Sequence, residues 1–284
     1  MDIVAILSLA AVFSAMFALG AGIHPRRLFR ELARFGLLAR ALCVALIAVP
    51  LVAIGAATLF GLERAPLAGL LLIGISPGAP MALRRSRESG GHAQFSMVLQ
   101  VAVALLAIVA VPAWVLILDA LYSARADISL EVLARQVFLA QLLPIGGGAI
   151  CAAVFPTVAA RLVGPMLRMS GVGLLIVAAL LLWQFGPLLP ALGAAPIAAS
   201  ALLAASAIGL GHWVGGPDED TRITSAIVCA LRNPGIALLV ASANGMPAMA
   251  THMVLAHVVV TAILLLAYLF FRRRNAGAAA NQRA

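Results

Sequence analysis

The sequence has few charges and contains no lysine. Only 10% of its 284 residues are charged, all 19 basic residues are arginines, and 64% of the residues are hydrophobic. A soluble domain carries about 25% charged residues, so this composition excludes a soluble globular protein. The mean hydropathy of +1.11 instead indicates a chain that crosses a lipid bilayer several times. We attribute the absence of lysine mainly to a compositional bias of the genome.

Cysteine clusters and catalytic motifs are also absent. Cys43, Cys151 and Cys229 lie in separate apolar segments with no CxxC spacing, which argues against a disulfide framework or a zinc site. His252 and His257 are five residues apart and therefore point in different directions on a helix. The sequence has no HExxH, GxSxG or Walker A motif. We therefore expect no enzymatic activity, no cofactor and no metal centre.

The arginines mark the ends of apolar segments rather than a nucleic-acid surface. The net charge is +9, and fifteen arginines fall in the odd-numbered loops or the C-terminus of the arrangement below. The opposite side holds Arg64 and Arg125, with Arg135 nearby. Because cytoplasmic loops of membrane proteins are positive, the N-terminus should lie outside and the C-terminus in the cytoplasm. We predict a multi-pass protein of the cytoplasmic (inner) membrane with no nucleic-acid partner.

Nine apolar segments account for most of the chain. A spanning helix needs about 20 mostly apolar residues, and the segments lie near 2–22, 37–60, 66–83, 93–121, 132–155, 171–190, 196–214, 222–244 and 249–271. The sequence thus predicts an all-α polytopic membrane protein whose residues 1–274 form one transmembrane domain. The polar and Ala-rich residues 275–284 should form a disordered cytoplasmic tail.

Two of these segments carry proline-glycine breaks. The third contains residues 76–80 (Ser-Pro-Gly-Ala-Pro) and the eighth contains residues 232–235 (Arg-Asn-Pro-Gly). Proline removes a backbone hydrogen bond and glycine removes stiffness, so both helices should unwind inside the bilayer. Paired breaks of this kind point to the solute site of a secondary transporter. The isolated residues Pro50, Pro112 and Pro144 should only kink their helices.

The positions of the breaks predict an internal repeat. If spans one to four correspond to spans six to nine, the third span matches the eighth, break to break. The unpaired fifth span reverses the second half relative to the membrane. The expected architecture is therefore an inverted-topology repeat.

Arg232 is the one charge far from either predicted membrane surface. A charge at the bilayer centre costs about 2.5–3.5 kcal/mol on insertion scales, and no Asp or Glu lies in mid-span to pair with it. Two roles are open. The guanidinium can bind an anionic substrate through two parallel hydrogen bonds, or it can clamp the free carbonyls of the broken helices. We favour the first role, so the predicted partner is a small organic anion.

Polar side chains near the breaks complete the predicted site. Ser96 and Gln100 lie one turn apart on the fourth span, and Asn233 directly follows Arg232. The predicted substrate-binding residues are Arg232, Asn233, Pro77, Gly78, Ser96, Gln100, Pro234 and Gly235.

At these breaks the chain resembles the bile acid:sodium symporter superfamily, in a divergent bacterial branch. The resemblance rests on residues 17–20 (Phe-Ala-Leu-Gly), on Pro77-Gly78 and on residues 231–238, which include Asn233. It implies a panel domain and a core domain in which the two broken helices cross, with alternating access by an elevator-like movement. The panel would comprise the spans near 2–22, 132–155 and 171–190, and the core those near 37–121 and 196–271.

The residues that the resemblance assigns to sodium binding are mostly replaced. Asn233 and Ser96 match the superfamily pattern, but the other sodium positions hold Ala45, Ala82, Leu83, Val228 and Arg232, and Gln100 stands where a threonine is expected. A carboxylate has been lost and a fixed cation gained, and Arg232 would repel Na⁺ there. We therefore do not expect sodium to bind.

The combined prediction is a secondary active transporter of a small organic, anionic solute. One alternative is an efflux carrier of the auxin-efflux type, which also has a crossed-helix core and differs in the direction of transport. The other is a membrane sensor or scaffold that has lost transport. A pocket lined by Arg232 would favour transport, whereas a sealed crossing would favour the scaffold.

Overall fold

The computed structural model describes residues 3–22, 34–79, 81–122, 138–186, 192–243 and 245–281. These ranges contain helices and connecting segments but no strand. The α-helices are α1 (Ile3–Ala21), α2 (Phe35–Cys43), α3 (Val49–Leu59), α4 (Arg64–Ile75), α5 (Ala82–Glu88), α6 (Ala93–Tyr122), α7 (Leu143–Val154), α8 (Pro156–Phe185), α9 (Ala194–Val214), α10 (Glu219–Ala230), α11 (Pro234–Ala243) and α12 (Ala248–Asn281). The all-α polytopic class predicted from composition is confirmed.

The helices follow the predicted spans closely. Five are long and apolar enough to cross a bilayer on their own: Phe35–Leu59, Ala93–Tyr122, Pro156–Val177, Ala194–Val214 and Ala248–Arg272. Shorter apolar helices lie at Leu9–Ala21, Arg64–Ile75 and Leu143–Val154. Helix α8, which covers most of the sixth predicted span, starts at Pro156 rather than near residue 171, because proline is well suited to the first turn of a helix.

The last helix corrects one prediction. We expected a disordered tail from residue 275, but α12 continues to Asn281. Alanine has the highest helix propensity, and extending an existing helix avoids the unfavourable nucleation step. The alanine-rich segment therefore stays helical up to that residue, and residues 282–284 lie outside the described ranges.

Two helical segments widen into π-helix directly before a proline. Val44–Ala48 joins α2 to α3, which has Pro50 in its first turn, and Phe138–Leu142 precedes α7, which has Pro144 there. Because proline has no N–H, one carbonyl a turn earlier loses its helical partner. Pro50 and Pro144 thus do more than kink their helices, whereas Pro112 lies within the uninterrupted helix α6.

Helices α1, α7 and α8 pack against one another, and we call them the three-helix group. Glycines allow the close approach: a Cβ on Gly20 would overlap the carbonyl oxygen of Ile145, and one on Gly148 would overlap that of Phe17. Small residues at helix contacts are a common packing device in membrane proteins. A small apolar cluster, which includes Met16, Leu83 and Val101, connects α1 with α5 and α6.

The other helices share one large apolar core. It is built from α2 to α6 and α9 to α12 and buries mainly Ala, Val, Leu and Ile. At its polar end Arg272 Nε donates to Glu219 Oε1 at 2.6 Å, which ties α12 to the start of α10. This hydrogen bond stabilises the carboxylate and lowers the pKa of Glu219.

Candidate functional site

The two breaks meet in the middle of the apolar core. Helix α4 ends at Ile75, and the backbone of residues 76–79 is not helical; helix α10 ends at Ala230, and residues 231–233 are not helical. Gly78 has a φ of +84°, which a right-handed helix cannot contain. The prediction of interrupted helices at Pro77 and Pro234 is confirmed.

Backbone hydrogen bonds join the two unwound segments to each other. Asn233 N donates to Ser76 O at 2.8 Å, and Ala79 N donates to Leu231 O at 3.4 Å. The residue number rises along one segment while it falls along the other, so the segments run antiparallel. Groups that water would satisfy in a soluble protein are paired here, as a bilayer requires.

Arg232 places its guanidinium against backbone carbonyls. Nη1 donates to Ala45 O at 2.8 Å, Nε donates to Ile73 O at 3.4 Å, and Nη2 donates to Gly74 O. Ile73 and Gly74 lie in the last turn of α4, where carbonyls lack the usual donor four residues on. Ile73 O also accepts from Ser76 N at 3.2 Å. A cation is favourable there, since the C-terminus of a helix carries partial negative charge.

The third acceptor of Arg232 comes from the π-helical segment before Pro50. Ala45 O lies in the turn before Pro50, which lacks an N–H, and the next carbonyl, Leu46 O, accepts from Trp114 Nε1 at 2.7 Å. Arg232 therefore joins three chain segments: the second break, the end of α4 and the Val44–Ala48 segment. This arrangement matches the clamp that we considered as the alternative role.

No acidic side chain among the described residues pairs with Arg232. Its side chain is 5% exposed, and it is the one charged side chain classed as buried among the described residues. Carbonyl dipoles offer only partial negative charge, so the crossing keeps a net positive charge. Three of the five N–H donors of the guanidinium are engaged by carbonyls.

Asn233 starts the helix that follows the second break. Its Oδ1 accepts from Ile236 N at 3.3 Å, three residues on, which is the geometry of a helix N-cap. Pro234 occupies the first position of α11, where its missing N–H costs nothing. Gly235 is exposed in the same turn.

The first break is buried and lies beside α6. Gln100 Nε2 donates to Ala79 O at 2.6 Å, so this side chain holds the unwound segment, while its Oε1 has no hydrogen-bond partner among the described residues. Ser96 is fully buried one turn earlier, and its Oγ also has no partner there. Pro77 and Gly78 are both buried.

Gln141 is a candidate site residue that the sequence prediction missed. It lies in the π-helical Phe138–Leu142 segment and is fully buried, and neither of its amide atoms has a hydrogen-bond partner in the described part of the chain. A methyl group on Gly78 would lie 3.8 Å from Gln141 Oε1 and 3.9 Å from Gln100 Nε2. The signal that could have found it is a glutamine in an apolar span, three residues before a proline, because π-turns often occur at functional sites.

The positions that the resemblance links to sodium carry aliphatic side chains in the structure. Ala82, Leu83 and Val228 are buried and offer no oxygen atom. At this crossing three backbone carbonyl oxygens accept hydrogen bonds from Arg232.

An apolar groove lies beside the first break. It is lined by Leu71, Ile75, Val115, Leu118 and other residues of α4 and α6, together with Met246. None of the predicted site residues lines it. Ile75 directly precedes the unwound segment, so the groove approaches the crossing from the α4 side.

Comparison with protein families decides the membership of the chain. The model of the Sodium Bile acid symporter family matches residues 9–189, which run from α1 past the end of α8 and include the first break. The chain belongs to the Sodium Bile acid symporter family. This family comprises transporters rather than enzymes, so the chain is a multi-pass membrane protein of a transporter family. A search of curated proteins found no match.

We expect Gly78→Ala to abolish transport with only a small loss of stability. An L-residue at a left-handed φ costs about 1 kcal/mol, and the added methyl group would lie 3.3 Å from Val103 Cγ1 and would fill the space between the two glutamine amides. Gly90→Ala is the matched control, because Gly90 has a φ of +80° and nothing within 4 Å of its Cβ position. The Tm should fall by a similar amount in both variants, whereas uptake should fall only in Gly78→Ala. Equal uptake by both variants would contradict the expectation that transport needs the space beside Gly78.

Proposed function

We propose that the chain is a secondary transporter of a small organic anion and that Arg232 takes the place of a coupling cation. The observation that carries this proposal is the buried guanidinium at the crossing, held by the carbonyls of Ala45, Ile73 and Gly74. A tethered cation cannot leave with the solute. Transport would therefore not depend on a sodium gradient.

The positive charge of the crossing supports an anionic substrate. Arg232 has no acidic partner among the buried described residues, and an unscreened charge in a low-dielectric interior attracts an opposite charge strongly. Two N–H donors of the guanidinium are not used in the three carbonyl contacts. An anion near the crossing would be stabilised by the field of Arg232, and by direct contact if it reaches those donors.

The packing supports alternating access between two bodies. In this proposal the three-helix group acts as the panel and the remaining helices act as the core, which carries both breaks. A small cluster that includes Met16 and Leu83 lies between them. Movement of the core past the three-helix group would expose the crossing first to one side of the inner membrane and then to the other.

Uptake into proteoliposomes tests the proposal. Purified protein should take up radiolabelled organic acids, chosen by a thermal-shift screen of keto acids and hydroxy acids, at the same rate with and without an inward Na⁺ gradient. Arg232 already supplies the positive charge, so added sodium should change the rate less than about twofold, a small effect on the free-energy scale.

Sodium-stimulated uptake that is abolished by Asn233→Ala would refute this mechanism. Asn233 also caps α11, so Asn233→Ser is the matched control, since serine retains a capping oxygen. Loss of sodium stimulation in the alanine variant alone would show that the effect comes from loss of the helix cap. Loss in both variants would report an amide ligand of sodium.

The second candidate function is a sensor or scaffold without transport. The engagement of three Arg232 donors by backbone carbonyls favours it, because a clamp of this kind also serves a static protein. This candidate would be supported if folded protein binds the tested acids but shows neither uptake nor exchange of any of them. An efflux carrier would differ only in direction, which right-side-out and inside-out vesicles distinguish.

A further inference from the structure

Two glutamine side chains approach each other at the first break from different parts of the fold. Gln100 lies on α6, and Gln141 lies in the π-helical segment that leads into α7 of the three-helix group. Both amides lie close to the position of a Gly78 Cβ, at 3.9 Å from Gln100 Nε2 and 3.8 Å from Gln141 Oε1. Because Gly78 has no side chain, no Cβ lies between the two amides.

Three polar atoms of this pair have no hydrogen-bond partner among the described residues. They are Gln100 Oε1, Gln141 Oε1 and Gln141 Nε2, on side chains that are at most 1% exposed. Buried polar side-chain atoms are normally paired, and each exception asks for an explanation. One of these atoms, Gln141 Oε1, lies 3.8 Å from the position of a Gly78 Cβ, and the other two belong to the same two amides. This arrangement indicates a site built for a polar group from outside the chain.

The orientation of Gln100 restricts the chemistry of that group. Its Nε2 is fixed by the bond to Ala79 O, so the free Oε1 needs a hydrogen-bond donor. Gln141 offers one acceptor atom and one donor nitrogen whichever way its amide is turned. A bare carboxylate or sulfate has no hydrogen to donate and therefore cannot satisfy Gln100 Oε1. A hydroxyl group both donates and accepts through one atom.

We propose that Gln100 and Gln141 bind a hydroxyl group of the transported solute above Gly78. The inference rests on the proposed transport function and adds that the carried anion is hydroxylated. Its hydroxyl bridges α6 and the three-helix group, while its negative charge lies in the field of Arg232. Ala79 connects the hydroxyl site with the region of the charge. Its carbonyl accepts from Gln100, and its N–H donates to Leu231, the neighbour of Arg232.

The stability of the empty protein tests the site without any ligand. Gln141→Met removes two unpaired polar atoms and keeps the shape, so its Tm should stay equal to that of the wild type or rise. Gln100→Met removes the bond to Ala79 O and should lower the Tm. Gln94→Met, at a half-buried position in the first turn of α6, is the control. A fall in Gln141→Met as large as that in Gln100→Met would overturn the inference, because Gln141 would then be structural.

Matched acid pairs test the chemistry of the ligand. The probes are 2-hydroxy-3-methylbutanoate against 3-methylbutanoate, 3-hydroxybutanoate against butanoate, and mandelate against phenylacetate. At least one hydroxy acid should bind the wild type about tenfold or more tightly than its deoxy partner, as in sites built to pair a hydroxyl. Gln141→Met should lose that preference, and Gln94→Met should keep it.

The remaining outcomes separate this inference from the proposed function. Equal binding of both members of every pair, no binding of any, or a preference that survives in Gln141→Met would overturn the hydroxyl site. The last result would mean that the amides hold only a buried water. Transport of anions without preference for hydroxylated ones would overturn the hydroxyl site but keep the transport function. A hydroxyl preference in binding without any uptake would keep the hydroxyl site but overturn the transport function.

Discussion

Arg232→Gln should lower the free energy of unfolding by about 2–5 kcal/mol, because a carbonyl left without its donor costs about 1–3 kcal/mol. The guanidinium serves Ala45 O, Ile73 O and Gly74 O at once, and the shorter glutamine amide can replace one of these bonds at most. Thermal and chemical unfolding in detergent would measure the loss. Arg222→Gln is the control, since Arg222 Nε donates to one carbonyl, that of Gly216, from a half-buried position on α10, the helix that precedes the second break.

The same variant distinguishes a tethered cation from a plain clamp. If Arg232 takes the place of a bound ion, removal of its charge leaves three carbonyl oxygens that favour a cation, and Na⁺ should raise the Tm of Arg232→Gln but not that of the wild type. Choline at equal ionic strength controls for screening. A Tm of Arg232→Gln that is equal in the two salts would remove the cation role and leave only the clamp.

Gly148→Ala should destabilise the three-helix group by about 3 kcal/mol or more, above the usual range for overpacking because the new methyl group meets backbone rather than a movable side chain. The Cβ would overlap Phe17 O and lie 2.7 Å from Ala21 N, so α1 and α7 must separate. Unfolding in detergent would show this as a lower Tm. A fall in uptake should follow the fall in folded protein.

Gly146→Ala provides the opposite expectation on the same helix. No atom lies within 4 Å of its Cβ position, and alanine is favoured over glycine in a helix by about 1 kcal/mol. This variant should therefore be slightly more stable than the wild type. Similar Tm values for the two alanine variants would show that the close contact of α1 and α7 is not required.

The breaks were predictable because their cause is local. Pro77 with Gly78, and Asn233 with Pro234, interrupt helices through the backbone chemistry of the residues themselves. Spans were predictable for a similar reason, since the bilayer fixes helix length. The family resemblance stated from the breaks was confirmed by the family match over residues 9–189.

The contacts of the site were not predictable, because they depend on distant segments. The sequence showed that Arg232 needs a partner, but not that Ala45 O and the end of α4 would supply it, which requires the packing of three segments. Gln141 was missed because nothing local places it beside Gly78. The substrate-binding role of the predicted residues stays a prediction.

Pro50, which follows the first π-helical segment, influences the position of the Arg232 guanidinium. Pro50 lacks one N–H, and in the turn before it Leu46 O accepts from Trp114 Nε1 and Ala45 O accepts from Arg232 Nη1. The depth of the guanidinium is thus set in part by an imino acid more than 180 positions earlier in the chain. A substitution of Pro50 during evolution would therefore move the positive charge, although the sequences of both unwound segments stay the same.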